Sequence, residues 1–76
     1  VMILLNELDM NEEAVVTNVK NDELLKRRLL DIGIIPGSDI KKVLISPFGG
    51  IAGYLVMDSI IAIRDSDARF IEVDYE

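Results

Sequence analysis

The sequence predicts a mainly β fold, a small barrel of about five strands with one α-helix between the first and second barrel strands. Three observations carry that expectation. Half of the 76 residues are hydrophobic, yet only two Tyr and two Phe are among them, so the core must be built from Val, Ile and Leu. Short β-branched runs are separated by Gly, Pro and Asp punctuation. Between Asn21 and Gly33 the apolar spacing changes to that of a helix.

Ala14 to Val19 reads A-V-V-T-N-V and is the first barrel strand. Asn21 or Asp22 caps the helix that follows, with acids in its first turn at the positive end of the dipole. The helix is expected to run to Ile32, with Leu25, Leu29 and Ile32 as its buried stripe and Leu24 and Leu30 flanking. Arg27 points away from that stripe, where Glu23 and Asp31 can pair with it at i,i+4 spacing. Gly33 stands where a left-handed C-cap is needed. Pro36-Gly37 then fits the two corners of a type II turn.

Asp39 to Ser46 is a strand, and Pro47-Phe48-Gly49-Gly50 breaks it. Gly53 to Met57 and Ile60 to Ile63 are two further strands, with Asp58-Ser59 as the tight connection between them. A short helical turn is expected at Ser66–Arg69, capped by Ser66, before a last strand from Phe70 to Val73. Three consecutive strands joined by tight turns make a meander, and so apolar a sheet tends to curl and close, removing its edges.

One domain, residues 1–76, accommodates this length, and it buries only about 60% of the surface its unfolded form exposes. With a mean hydropathy of +0.31, apolar surface should be left over as a contact patch. There is no Cys, in keeping with a reducing compartment. No run approaches the roughly 20 apolar residues of a membrane helix, and the opening Val1-Met2-Ile3-Leu4-Leu5 lacks the basic flank of a secretory signal. The expectation is a cytoplasmic protein without direct membrane insertion. Fourteen acids against eight bases give a net charge of −6, which argues against nucleic acid as a partner.

Catalysis has few residues to run on, and the carboxylate pair Asp65/Asp67, able in principle to do acid–base work, reads better as solvated turn acids. There is no His and no Cys, no Ser has an evident base, and Gly49, Gly50 and Gly53 fit no phosphate-cradling spacing. The chain is therefore expected not to be an enzyme. Without imidazole or thiolate it offers a transition metal only carboxylates. Asp58, Asp65, Asp67 and the alternating tail acids Glu72, Asp74 and Glu76 are expected to hold ferrous or another divalent ion weakly at best, and no cofactor is expected. The tail acids read better as a solvated strand edge.

The run Leu25-Lys26-Arg27-Arg28-Leu29-Leu30-Asp31-Ile32-Gly33-Ile34-Ile35-Pro36-Gly37 resembles the signature of the FeoA family: a basic, leucine-rich helix, an aliphatic-Gly pair, two variable residues and Pro-Gly. Ser46-Pro47-Phe48-Gly49-Gly50 is similar to that family's small-Pro-x-Gly loop, and Ile60-Ile61-Ala62-Ile63-Arg64 to its Arg-ending strand. The resemblance extends from Leu5 to Val73. The chain departs from the family where Gly49-Gly50-Ile51 replaces a frequent Gly-Asp-Pro and where Ser59 replaces a frequent Gly. What the resemblance implies is an SH3-like barrel that serves ferrous iron uptake, as a cytoplasmic accessory of a membrane iron transporter with a GTPase domain. The same barrel also occurs at the C-terminus of metal-dependent repressors, so the alternative the resemblance implies is a metal-sensing regulatory module.

Two segments stand out as partner-binding candidates. Lys26, Arg27 and Arg28 present a basic helix face suited to an acidic partner patch. Pro47, Phe48 and Gly49 place an aromatic at a loop tip, where a core has little use for it and interfaces often do. Homo-oligomerisation is left open.

Overall fold

In the computed structural model, which describes residues 2–75, six strands follow one another along the chain: β1 (Met2–Leu4), β2 (Glu13–Val19), β3 (Asp39–Ile45), β4 (Ile51–Val56), β5 (Ser59–Arg64) and β6 (Ile71–Tyr75). Helix α1 (Glu23–Asp31) joins β2 to β3, and a one-turn helix, α2 (Asp65–Ala68), joins β5 to β6. All strands belong to one antiparallel sheet in the order β1-β6-β2-β3-β4-β5. The mainly β class and the position of the helix agree with expectation. The sixth strand, β1, comes from the opening apolar run, which pairs Ile3 with Val73.

The core is aliphatic, as composition requires. Leu5, Leu8, Val16, Leu29, Ile34, Ile40, Ile71 and Val73 are buried around a single aromatic, Tyr54. Tyr54 donates its hydroxyl to the Leu5 carbonyl at 3.4 Å. Beside it lies Lys42, only 6% exposed, whose ammonium donates to the Asn6 carbonyl at 3.1 Å and sits 5.7 Å from the Tyr54 ring centroid. A lysine stem lining a core with its head turned to a carbonyl is the usual way such a residue is accommodated.

Alternation holds along β4: Ala52, Tyr54 and Val56 face inward, leaving Ile51 and Leu55 outward. β5 follows the same rule, with Ile63 inward and Ile60, Ala62 and Arg64 exposed. The sheet does not close by backbone pairing: β1 and β5 end the ladder and are not hydrogen-bonded to each other. Instead α2, which continues directly from β5, approaches the 3-10 turn Leu5–Glu7, and Ala68 and Leu5 are both buried there. The expectation that closure removes the edges is thus corrected.

Local corrections have simple causes. The β4–β5 turn is Met57-Asp58, with φ of 49° and 66°, and not Asp58-Ser59. Positive φ at both central positions suits the right-handed twist of a hairpin. α2 begins at Asp65 with Arg64 at its N-cap and no side-chain cap, so Ser66 lies inside the turn. β6 is an interior strand between β1 and β2, so Glu72 and Asp74 are no sheet edge. Glu72 pairs with Lys20 at 2.9 Å, and Glu76 lies outside the described residues.

Candidate docking surfaces

Asp22 is the N-cap of α1 and accepts a hydrogen bond from the Leu25 amide at 3.0 Å. Asn21 does something else: its side-chain amide donates to the Asp67 carbonyl at 2.9 Å and ties the helix entrance to α2. At the other end Gly33 takes φ of 95°. The Ile34 amide donates to the Leu29 carbonyl at 2.8 Å and the Gly33 amide to that of Leu30 at 3.1 Å, a Schellman closure. It brings Leu29 and Ile34, both buried, onto each other as the core anchor of the helix. The turn that follows has Pro36 and Gly37 at its corners, with φ of 97° at Gly37 and a 3.0 Å hydrogen bond from the Ser38 amide to the Ile35 carbonyl.

This anchoring differs from the expected stripe. Only Leu29 of the helix is buried; Leu25 is half-buried and Ile32 is exposed, as are Leu24 and Leu30. Ile34, beyond the helix, takes the place foreseen for Ile32 because the Schellman closure turns the chain back under Leu29. Leu30 is then free to form the wall of a groove. Val19, Glu23, Lys26, Arg27, Leu30, Ile34, Ile35 and Pro36 line this depression of about 300 Å³. Its floor and far wall are apolar, and Glu23, Lys26 and Arg27 stand on its helical side. Arg28 lies on the same helix but outside the groove.

The foreseen pairing of Arg27 with Glu23 and Asp31 does not form. Among the described residues the ion pair is Lys20 with Glu72, and none involves Lys26, Arg27 or Arg28. Long exposed side chains gain little from such pairs in water, which explains why they stay apart. The result is a groove with two cations and one acid on its helical side, a local positive excess on a chain of net charge −6.

The second candidate segment stands elsewhere. Pro47 and Gly49 are exposed, and Phe48 is 97% exposed at the tip of the β3–β4 loop. The full length of β3 separates this loop from the Pro36-Gly37 turn, whereas the β4–β5 turn lies at the helix end, with Met57 packed against Gly33. The two candidate segments therefore do not converge on one site. Phe48 instead adjoins an exposed aliphatic face missed in the sequence: Leu44, Ile45, Ile51, Ile60 and Ala62 surround a flat depression of about 370 Å³ over Gly53. A Cβ at Gly53 would stand 3.1 Å from Leu44 Cβ and 3.3 Å from Ile60 Cγ2, so a larger residue would press on both side chains. Strand alternation could have found this face, because Ile51, Gly53, Ile60 and Ala62 fall on one side of the β4–β5 hairpin.

No group of three or more Asp or Glu converges on a metal-sized point among the described residues. Asp58 sits in the β4–β5 turn, Asp65 and Asp67 in α2, and Glu72 is engaged by Lys20. No helix of the described residues is long and apolar enough to cross a membrane.

Residues 3–75 match the FeoA domain. The chain belongs to that family. It is 31% identical over 70 residues to a Porphyromonas gingivalis protein in which Fe(2+) transport protein A is fused to the Fe(2+) transporter FeoB; the alignment takes in 92% of this chain and 8% of that one. A Campylobacter jejuni protein assigned as Fe(2+) transport protein A is likewise 31% identical over 70 residues, covering 92% of this chain and 95% of its own. The zinc complex of Stenotrophomonas maltophilia FeoA, described as an SH3 domain protein, superposes with a TM-score of 0.83 at 29% identity, over 95% of this chain and 89% of that one. The SH3-like FeoA barrel suggested by the helix, Gly and Pro-Gly run is the fold observed.

Proposed function

We propose that this FeoA-family chain is a cytoplasmic accessory of ferrous iron uptake that catalyses no reaction of its own. It docks on the cytoplasmic part of the membrane iron transporter and modulates its GTPase domain. The carrying observation is the α1 groove: an apolar floor flanked by Lys26 and Arg27, two cations against the single acid Glu23, with no ion pair formed by either cation among the described residues. Such a surface selects an apolar segment with acidic flanks, since charge complementarity steers the encounter and fixes register while apolar burial supplies affinity. The Porphyromonas gingivalis fusion supports the choice of partner, because two modules joined in one chain act at one place.

Titrating the isolated cytoplasmic domain of the transporter with this protein tests the reading. Saturable binding that weakens with salt is expected. Absence of binding by the unsubstituted protein, or binding indifferent to salt, would remove it.

A further inference from the structure

The free edge of β5 has the marks of a self-pairing surface. The β4–β5 register is continuous from Ile51↔Arg64 to Val56↔Ser59, without a bulge. A two-residue turn at Met57-Asp58 makes Val56 and Ser59 a hydrogen-bonded pair. Ser59, Ile61 and Ile63 therefore turn their backbone groups toward β4. Ile60, Ala62 and Arg64 turn theirs outward, and β5 has no strand on that side. Exposed edges are ordinarily blunted by brevity, Pro, an inward charge, a bulge or a covering helix or loop, and α2 begins only where β5 ends at Arg64. β1, the other edge, has three residues; β5 has six, reading S-I-I-A-I-R, with no Pro, no bulge and no charge before Arg64.

From this edge we infer that the protein forms a two-fold dimer by antiparallel pairing of β5 with β5 of a second copy, centred on Ile61. Only pairings that match outward residues with outward residues are allowed, because a one-residue slip puts side chains on the wrong face. Centring on Ile61 sets Ile60 opposite Ala62 of the second copy, a large side chain against a small one. It also brings Arg64 beside the other copy's Asp58, twice per dimer. Neither residue has an ion pair within its own chain among the described residues. A shift by two residues, centring on Ala62, instead sets Arg64 against Ile60 and leaves Asp58 unmatched. The self-complementary charges offset repulsion between two chains of net charge −6.

The pairing extends the aliphatic outer face of Leu44, Ile51, Ile60 and Ala62 continuously across both copies. It also carries each Phe48 loop to the end of the sheet where the other copy's Met57-Asp58 turn arrives. One strand with its flanking side chains buries less than about 1,200 Å², the class of concentration-dependent interfaces. The α1 groove takes no part, so the dimer stands or falls independently of transporter docking.

Sedimentation equilibrium between about 10 µM and about 1 mM covers the affinities expected of such an interface. The unsubstituted chain should pass from monomer to dimer. Ala62→Pro, which removes an outward N–H that β4 does not use, should weaken dimerisation at least about tenfold while circular dichroism stays unchanged. Ile60→Glu should act likewise. The chain has no Cys, so Ile61→Cys gives a clean register probe. Directly opposed residues of a non-hydrogen-bonded pair lie at disulfide distance, so this variant should cross-link on mild oxidation at least about tenfold more than Ile3→Cys on β1. A chain monomeric throughout, an Ala62→Pro variant that dimerises like the parent, or equal cross-linking from β1 would overturn the dimer. So would a monomeric chain whose Ala62→Pro variant loses transporter binding; that result would give the edge to a strand of the partner.

Discussion

The groove of α1 and the outer face of the β3–β4–β5 meander are both apolar and both exposed, yet they are built for different neighbours. The groove has Lys26 and Arg27 beside it against the single acid Glu23, and neither cation forms an ion pair among the described residues. The outer face is flat, formed by Leu44, Ile51, Ile60 and Ala62 over Gly53, and it ends in a strand whose outer edge has no neighbour. Charge beside a groove selects a partner of opposite sign; a bare strand edge selects another strand. Apolar exposure by itself therefore says little about what a surface binds, and the polar groups around it decide.

The largest effect expected from breaking this contrast is on the groove. Lys26→Glu combined with Arg27→Glu should weaken binding to the transporter's cytoplasmic domain about 100-fold, measured by calorimetric titration. Unfolding free energy should stay within about 0.5 kcal/mol of the parent, because both side chains are exposed and form no ion pair among the described residues. Self-association should not change.

Next in size is a pH effect that belongs to the core beneath both surfaces. Burial, reinforced by the negative charge of Asp65, pushes the Tyr54 phenol up to about 12 from its ordinary value of 10.0. The folded state thus holds the proton more tightly than the unfolded chain does. Stability from this group is fully present below pH 10, and is lost as pH rises through 10 toward 12. Urea denaturation at stepped pH should show a loss on the order of 2 kcal/mol across that window, and Tyr54→Phe should flatten it.

Gly33 links the two regions, since it closes α1 and its Cα faces Met57 of the β4–β5 turn. A Cβ there would fall 2.5 Å from Met57 Sδ at a φ of 95°. The flexible thioether can move away, so the left-handed backbone sets most of the cost. Gly33→Ala should destabilise by about 1–2 kcal/mol in thermal or urea unfolding.

The smallest effect is expected at Phe48. Phe48→Ala should leave stability and transporter binding unchanged within about twofold, because the ring touches no core and stands away from the groove. It should reduce self-association by about threefold, through lost apolar contact at the dimer's ends.

Much of this was legible wherever one residue type has one job. Gly33 and Pro36-Gly37 announced positive φ and a fixed corner, and both occur as read. The strands were readable because β-branched runs between breakers have few other uses. Boundaries failed where tertiary packing decided. Met57 adopts positive φ though nothing in a Met-Asp pair signals it, so the hairpin turn lies one residue earlier than the sequence suggests. β1 is too short to show alternation and exists because β6 offers it a ladder. Ile34 displaced Ile32 as the buried residue because a Schellman closure redirects the chain in a way that helical periodicity does not contain. Arg27 was legible as a candidate for docking but not as an unpaired cation, since i,i+4 spacing permits a pair without enforcing it. The separation of Phe48 from the basic helix was hidden altogether, because sequence order does not say which ends of a meander meet the helix.

The most direct measurement is the affinity of this protein for the transporter's cytoplasmic domain, taken side by side for the parent, the Lys26→Glu and Arg27→Glu double variant, and Phe48→Ala. Docking through the groove predicts saturable binding for the parent, a loss of about 100-fold for the double variant and near-parental affinity for Phe48→Ala. Parental affinity in the double variant, or no binding by the parent, would contradict it.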